Sequence, residues 1–116
     1  MFGSVAHAEP KTALIDALRA ETPQTRQSTR ESIGFCRDTL APSVSGRLRA
    51  QCVDRLNVLQ VTLHHPAITA ELKHLRALSD SATMGAVLSR SEGLKRSEAA
   101  IPAYQDFLSA LDLADR

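Results

Sequence analysis

Three sets of side chains in this 116-residue sequence have the type and spacing to do chemistry. The first is its only pair of cysteines. Cys36 and Cys52 flank the break Ala41-Pro42-Ser43-Val44-Ser45-Gly46 symmetrically about residue 44. Two helices folding back across that break, each rising about 1.5 Å per residue, would bring the sulfurs to the same height. Both cysteines fall on apolar stripes, so the pair should face inward. A disulfide there closes a loop of about 15 residues, worth roughly 3 kcal/mol in the chain-entropy model. Two buried free thiols are the alternative, since Cys is a good small hydrophobe. The spacing is not the C-x-x-C of a redox centre, and two cysteines alone do not build a structural zinc site.

Arginines form the second set, and eleven of the fourteen basic residues are Arg. Arg26, Arg30 and Arg37 follow i, i+4, i+11, along one side of a single helix, while Arg47, Arg49 and Arg55 lie on the next segment. Guanidinium groups capture carboxylate or phosphate bidentately, so a shared ridge could hold an acidic partner protein or clamp an anionic small ligand. The plain alternative is a solvated face neutralised by Glu31, Asp38 and Asp54. The third set, Glu71 and His74, has the Glu-x-x-His spacing of a ligand unit in di-iron bundles. Such sites need two copies and further carboxylates. One copy is present, so no metal and no other cofactor is expected. No Gly-x-Ser-x-Gly elbow or recognisable Ser/His/Asp relay occurs, which argues against an enzyme.

The elements that must carry these residues read as helices. Pro10 opens a short stripe of Ala13, Leu14, Ala17 and Leu18 that ends near Glu21. A second helix starts at Thr22-Pro23 or at the capping-box spacing of Ser28-Thr29-Arg30-Glu31, and carries Ile33, Cys36 and Leu40. Ser43 or Ser45 caps a third, with Leu48, Cys52, Leu56, Leu59 and Leu63, which ends at His64-His65-Pro66. A fourth carries Ile68, Leu72, Leu75 and Leu78 and should break at Ser79-Asp80-Ser81. A fifth holds Met84, Val87 and Leu88 and stops at Gly93. A last one, with Pro102 in its first turn, holds Ile101, Tyr104, Phe107, Leu108 and Leu111. Short connections predict an all-α fold: a small antiparallel bundle of four to six helices.

Composition narrows the function classes. A net charge of +1 argues against a nucleic-acid binder or a polybasic membrane-surface protein. No apolar run is long enough to span a membrane. Val5-Ala6-His7-Ala8 followed by Glu9 has the small-x-small form of a signal-peptidase site. Residues 1–8 are therefore read as a signal-peptide remnant or disordered tail, and 9–116 as one helical domain. With the cysteine pair, this points to a periplasmic or secreted protein, or to a cytoplasmic one if Met1 is the true start. The expectation is an exported protein-binding module of the inhibitor, immunity-type or holdase kind. A small anionic-ligand binder is the alternative, and homo-oligomerisation is a further option. Arg90, Lys95 and Arg96 make a basic cluster, opposite in sign to Asp106, Asp112 and Asp115 near the C-terminus. This could be simple dipole matching, or it could let two copies associate.

Overall fold

The computed structural model describes residues 12–116; the expected cleavage boundary at Ala8–Glu9 and the first helical position at Pro10 lie outside the described residues. Five helices and no strand occur among the described residues. Helix α1 occupies residues 12–19, followed by α2 (Pro23–Asp38), α3 (Gly46–Thr62), α4 (Pro66–Leu88) and α5 (Arg90–Ala114). Helix α2 packs on α3 and α5, and α4 packs on α3 and α5, so the four long helices close an antiparallel ring.

Local chemistry sets the helix starts. Thr22 caps α2, its Oγ1 accepting from the Thr25 amide at 3.0 Å, with Pro23 preorganised behind it. The rival start at Ser28 is not used: Thr29 is buried inside α2, and its hydroxyl donates back to the Thr25 carbonyl. Ser45 caps α3, accepting from the Leu48 amide at 3.3 Å. At the α3–α4 junction Pro66 holds His65 in extended backbone, and His65 Nδ1 caps α4 by accepting from the Ala67 amide at 3.1 Å.

The second half differs from the sequence expectation. Helix α4 runs straight through Ser79-Asp80-Ser81, because the Ser79 hydroxyl is not free to cap. It is buried and hydrogen-bonded to the Tyr104 hydroxyl of α5, which also donates to the Leu75 carbonyl at 3.1 Å. Burial pushes the Tyr104 phenol up to about 12, offset in part by the Ser79 bond and reinforced by Asp80. The real break is Ser89, in extended backbone at φ −168°, ψ 161°. Its amide donates to the Gly85 carbonyl, closing α4, and its hydroxyl accepts from the Glu92 amide at 3.0 Å, opening α5. Gly93 is therefore interior to α5 rather than a stop. Pro102 is also interior, on the solvent face, where the exposed Glu98 has lost its i+4 donor.

Glycines explain how closely α4 and α5 approach. A Cβ on Gly93 would lie 2.9 Å from the Ala86 Cα, and one on Gly85 would lie 2.9 Å from the Glu92 carbonyl oxygen. Both neighbours are backbone and cannot yield without moving a helix. Below this contact the core is aliphatic, built on Leu18, Ile33, Leu56, Ile68, Leu72, Leu75 and Leu111 around Tyr104 and Phe107. Leu48, expected on the buried stripe of α3, is instead 39% exposed on its first turn.

Cys36 and Cys52 are both fully buried and joined as a disulfide, with Cα atoms 4.9 Å apart. The staple therefore sits where the symmetry about residue 44 put it.

Two substitutions separate packing from propensity. Gly93→Val should lower stability by about 1–3 kcal/mol through overpacking against the Ala86 backbone. Gly34 has nothing within 4 Å of its would-be Cβ. Gly34→Ala should therefore raise stability by about 0.5–1 kcal/mol. Urea denaturation of the oxidised protein measures both, and equal effects of the same sign would contradict the packing described.

Candidate functional site

The six arginines singled out by spacing do not converge on one cavity. Arg26 and Arg30 are engaged at the base of the bundle, where α1, α2 and the end of α5 meet. Arg26, with a side chain only 11% exposed, pairs with Asp115 at 2.5 Å. The same guanidinium donates to the carbonyls of Leu18, Arg19 and Glu21 around the end of α1, where the Leu18 carbonyl also accepts from the Glu21 amide. Arg30 pairs with Asp115 as well, reaches Asp112 at 3.4 Å and donates to Gln27. These two side chains tie three chain segments together.

The remaining four separate. Arg37, half-buried, pairs with its exposed neighbour Asp38 at 3.3 Å. Arg49 folds over the α2–α3 connection and donates to the carbonyls of Ala41 and Pro42. Its Nε is buried and unpartnered, beside a space of only about 10 Å³ bounded by Thr39, Ser79 and Thr83. Arg55 lies over the Phe35 ring, 4.3 Å from the centroid. It also borders a shallow groove of about 280 Å³ between α2 and α3, with Ser28, Ser32, Asp54 and Val58. Arg47 is exposed and has no partner among the described residues. Glu71 is half-buried and His74 exposed, and no cluster of three metal-ligand side chains occurs among the described residues.

What spacing did not single out is the far end of the α4–α5 hairpin. Met84, Val87 and Leu88, expected as the apolar side of a helix, are 56%, 78% and 61% exposed, and Leu94 is 47% exposed. On α4 the core-facing positions are Leu75, Ser79, Ala82 and Gly85. Helical periodicity therefore places Met84, Val87 and Leu88 on the outward side. Leu94 lines an open depression of about 670 Å³ with Pro42 and Ser43 of the α2–α3 connection and Ala86, Arg90 and Gly93 of the hairpin, while Met84, Val87 and Leu88 stand outside that lining. Arg90 and Lys95 are exposed here without partners among the described residues. Arg96 is engaged, with Glu92 at 2.9 Å and the Ser81 carbonyl at 3.3 Å. A sequence signal for this site exists: Ser89-Arg90-Ser91-Glu92 has capping-box spacing, and a hairpin turned there must leave Val87 and Leu88 at its tip.

The two ends of the bundle thus use charge differently, and pH should read the difference. Hydrogen bonds from Arg26 and Arg30 hold the Asp115 carboxyl below its usual value. A depressed carboxylate stabilises the fold above its unfolded pKa and loses that contribution as pH falls through the folded value. Asp115→Asn should therefore lower the melting temperature at pH 7, with the gap to wild type closing below about pH 4. A constant gap from pH 7 to pH 2 would remove the ion pair as its cause. Arg30→Glu should destabilise in the same assay, whereas Arg47→Glu, which breaks no contact, should melt like wild type. No protein-family model matches this chain, and no curated protein or solved structure matches it either.

Proposed function

We propose that the protein is an exported protein-binding module, of the inhibitor, immunity-type or holdase kind, and that it contacts its partner with the α4–α5 hairpin end. The observation that carries this is the uncovered apolar group at that end. Met84, Val87, Leu88 and Leu94 lie within eleven residues of one another and outside the core that accounts for the rest of the fold. Large apolar side chains grouped this way beside a polar rim are typical of partner surfaces. Export is supported by the Ala6-His7-Ala8 cleavage spacing and by a buried disulfide, which forms and persists in oxidising compartments. The anionic-ligand alternative needs the arginines to share a cavity, and they do not: Arg26 and Arg30 are spent together on Asp115 at the base, and the other four lie apart from them.

The test is site-specific cross-linking from position 87 in an exporting host, followed by titration of each purified adduct partner against the oxidised protein. Val87→Asp with Leu88→Asp should weaken the complex about 30-fold or more, the scale of a central contact. Val61→Asp, at an equally exposed apolar position on α3, should change it less than about twofold. A complex indifferent to Val87 and Leu88 would take the hairpin end out of the reading.

A further inference from the structure

We infer that the partner segment held at the hairpin end is an acidic amphipathic helix. The inference rests on the protein-binding reading and specifies its chemistry. Residues 39–49 and 83–97, which build this end, carry five of the fourteen basic side chains and only one of the thirteen acidic ones. Three of the five, Arg47, Arg90 and Lys95, are exposed with no ion pair among the described residues. At the opposite end Arg26 and Arg30 are already neutralised by Asp115 and Asp112. Of the unpaired cations, Arg90 lines the depression together with the exposed Leu94.

Charge, topology and the chemistry of the lining select the occupant. A second copy docking by the same end would set like charges against each other, which opposes association. No strand occurs among the described residues, so no sheet edge is offered to an extended peptide. An open depression between a loop and a helical hairpin instead suits a helix laid in a groove, with apolar anchors at i, i+3 and i+4. Finally, the charged side chain that lines the depression is Arg90, whose planar fork matches carboxylates bidentately. Glu or Asp side chains flanking the apolar stripe of such a helix would reach Arg90 and Arg47, while its anchors cover Leu94 and Ala86.

The probes are two peptides of about 18 residues, both with Leu at helical spacing, one with flanking Glu and one with flanking Lys. Each is titrated into the 15N-labelled, oxidised full chain at about 50 mM salt, where charge contacts are weakly screened. The Glu peptide should bind at least about tenfold tighter than the Lys peptide, with amide shifts confined to residues 42–48 and 84–96. Arg90→Glu combined with Lys95→Glu, both surface changes, should invert that preference, and about 0.5 M salt should narrow it. Equal binding of the two peptides at the hairpin end would overturn the acidic class while leaving the protein-binding reading standing. Shifts confined to the α2–α3 groove would do the same to the location. Binding of neither peptide overturns both. That outcome would assign the end to a membrane surface if phosphatidylcholine–phosphatidylglycerol vesicles then bind wild type but not the doubly reversed variant.

Discussion

The contact on which the molecule depends is the close approach of α4 and α5 where Gly93 meets Ala86 and Gly85 meets Glu92. Side chains any larger there would push the helices apart. The displacement would propagate down two helices of 23 and 25 residues, which together form the largest interface in the fold. Ser89 makes this approach achievable by ending one helix and starting the next within a single residue. Further down, Ser79 and Tyr104 satisfy each other in the core, so the same two helices are held in register by a buried polar pair as well as by shape. The α2–α3 hairpin then packs against this longer one and is fastened by its disulfide.

Charge is distributed in keeping with that frame. Helix termini leave carbonyls short of donors, and at the base of the bundle Arg26 donates to those of Leu18, Arg19 and Glu21 while its charge is balanced by Asp115. Arg49 donates likewise to the Ala41 and Pro42 carbonyls of the α2–α3 connection, the first of which also accepts from the Val44 amide. Arginine abundance in this sequence is therefore explained in part by backbone carbonyls that need long, multi-donor side chains. A ligand is not required to account for it. Among the described residues, the exposed cations left without a partner are Arg47, Arg90 and Lys95 toward the hairpin end and Lys73 and Arg116 elsewhere.

The first half of the fold was legible because its signals are local. Thr22-Pro23, Ser45 and His65-Pro66 act on their own backbones, and the cysteine spacing encodes a hairpin directly. The second half misled because its signals are tertiary. Ser79-Asp80-Ser81 has the composition of a cap, yet the Ser79 hydroxyl is used across the interface by Tyr104. Gly93 has the composition of a stop, yet its missing side chain serves a neighbouring helix. Arg26, Arg30 and Arg37 share a spacing without sharing an environment, since the carbonyls and carboxylates that claim the first two come from α1 and α5. The hairpin end was hidden for the same reason: an apolar stripe at helical spacing reads as core until the partner helix is seen on the other side.

The disulfide encloses the whole of the exposed connection between α2 and α3. A protease that cuts between Ala41 and Gly46 would therefore not release either piece, because Cys36 and Cys52 lie on opposite sides of every such cut. The nicked molecule would keep both halves of its bundle covalently joined and would travel as one species until a reductant reached it. Outside a cell, where proteases are common and reductants are scarce, that makes this exposed connection one of the less costly places for the chain to be broken.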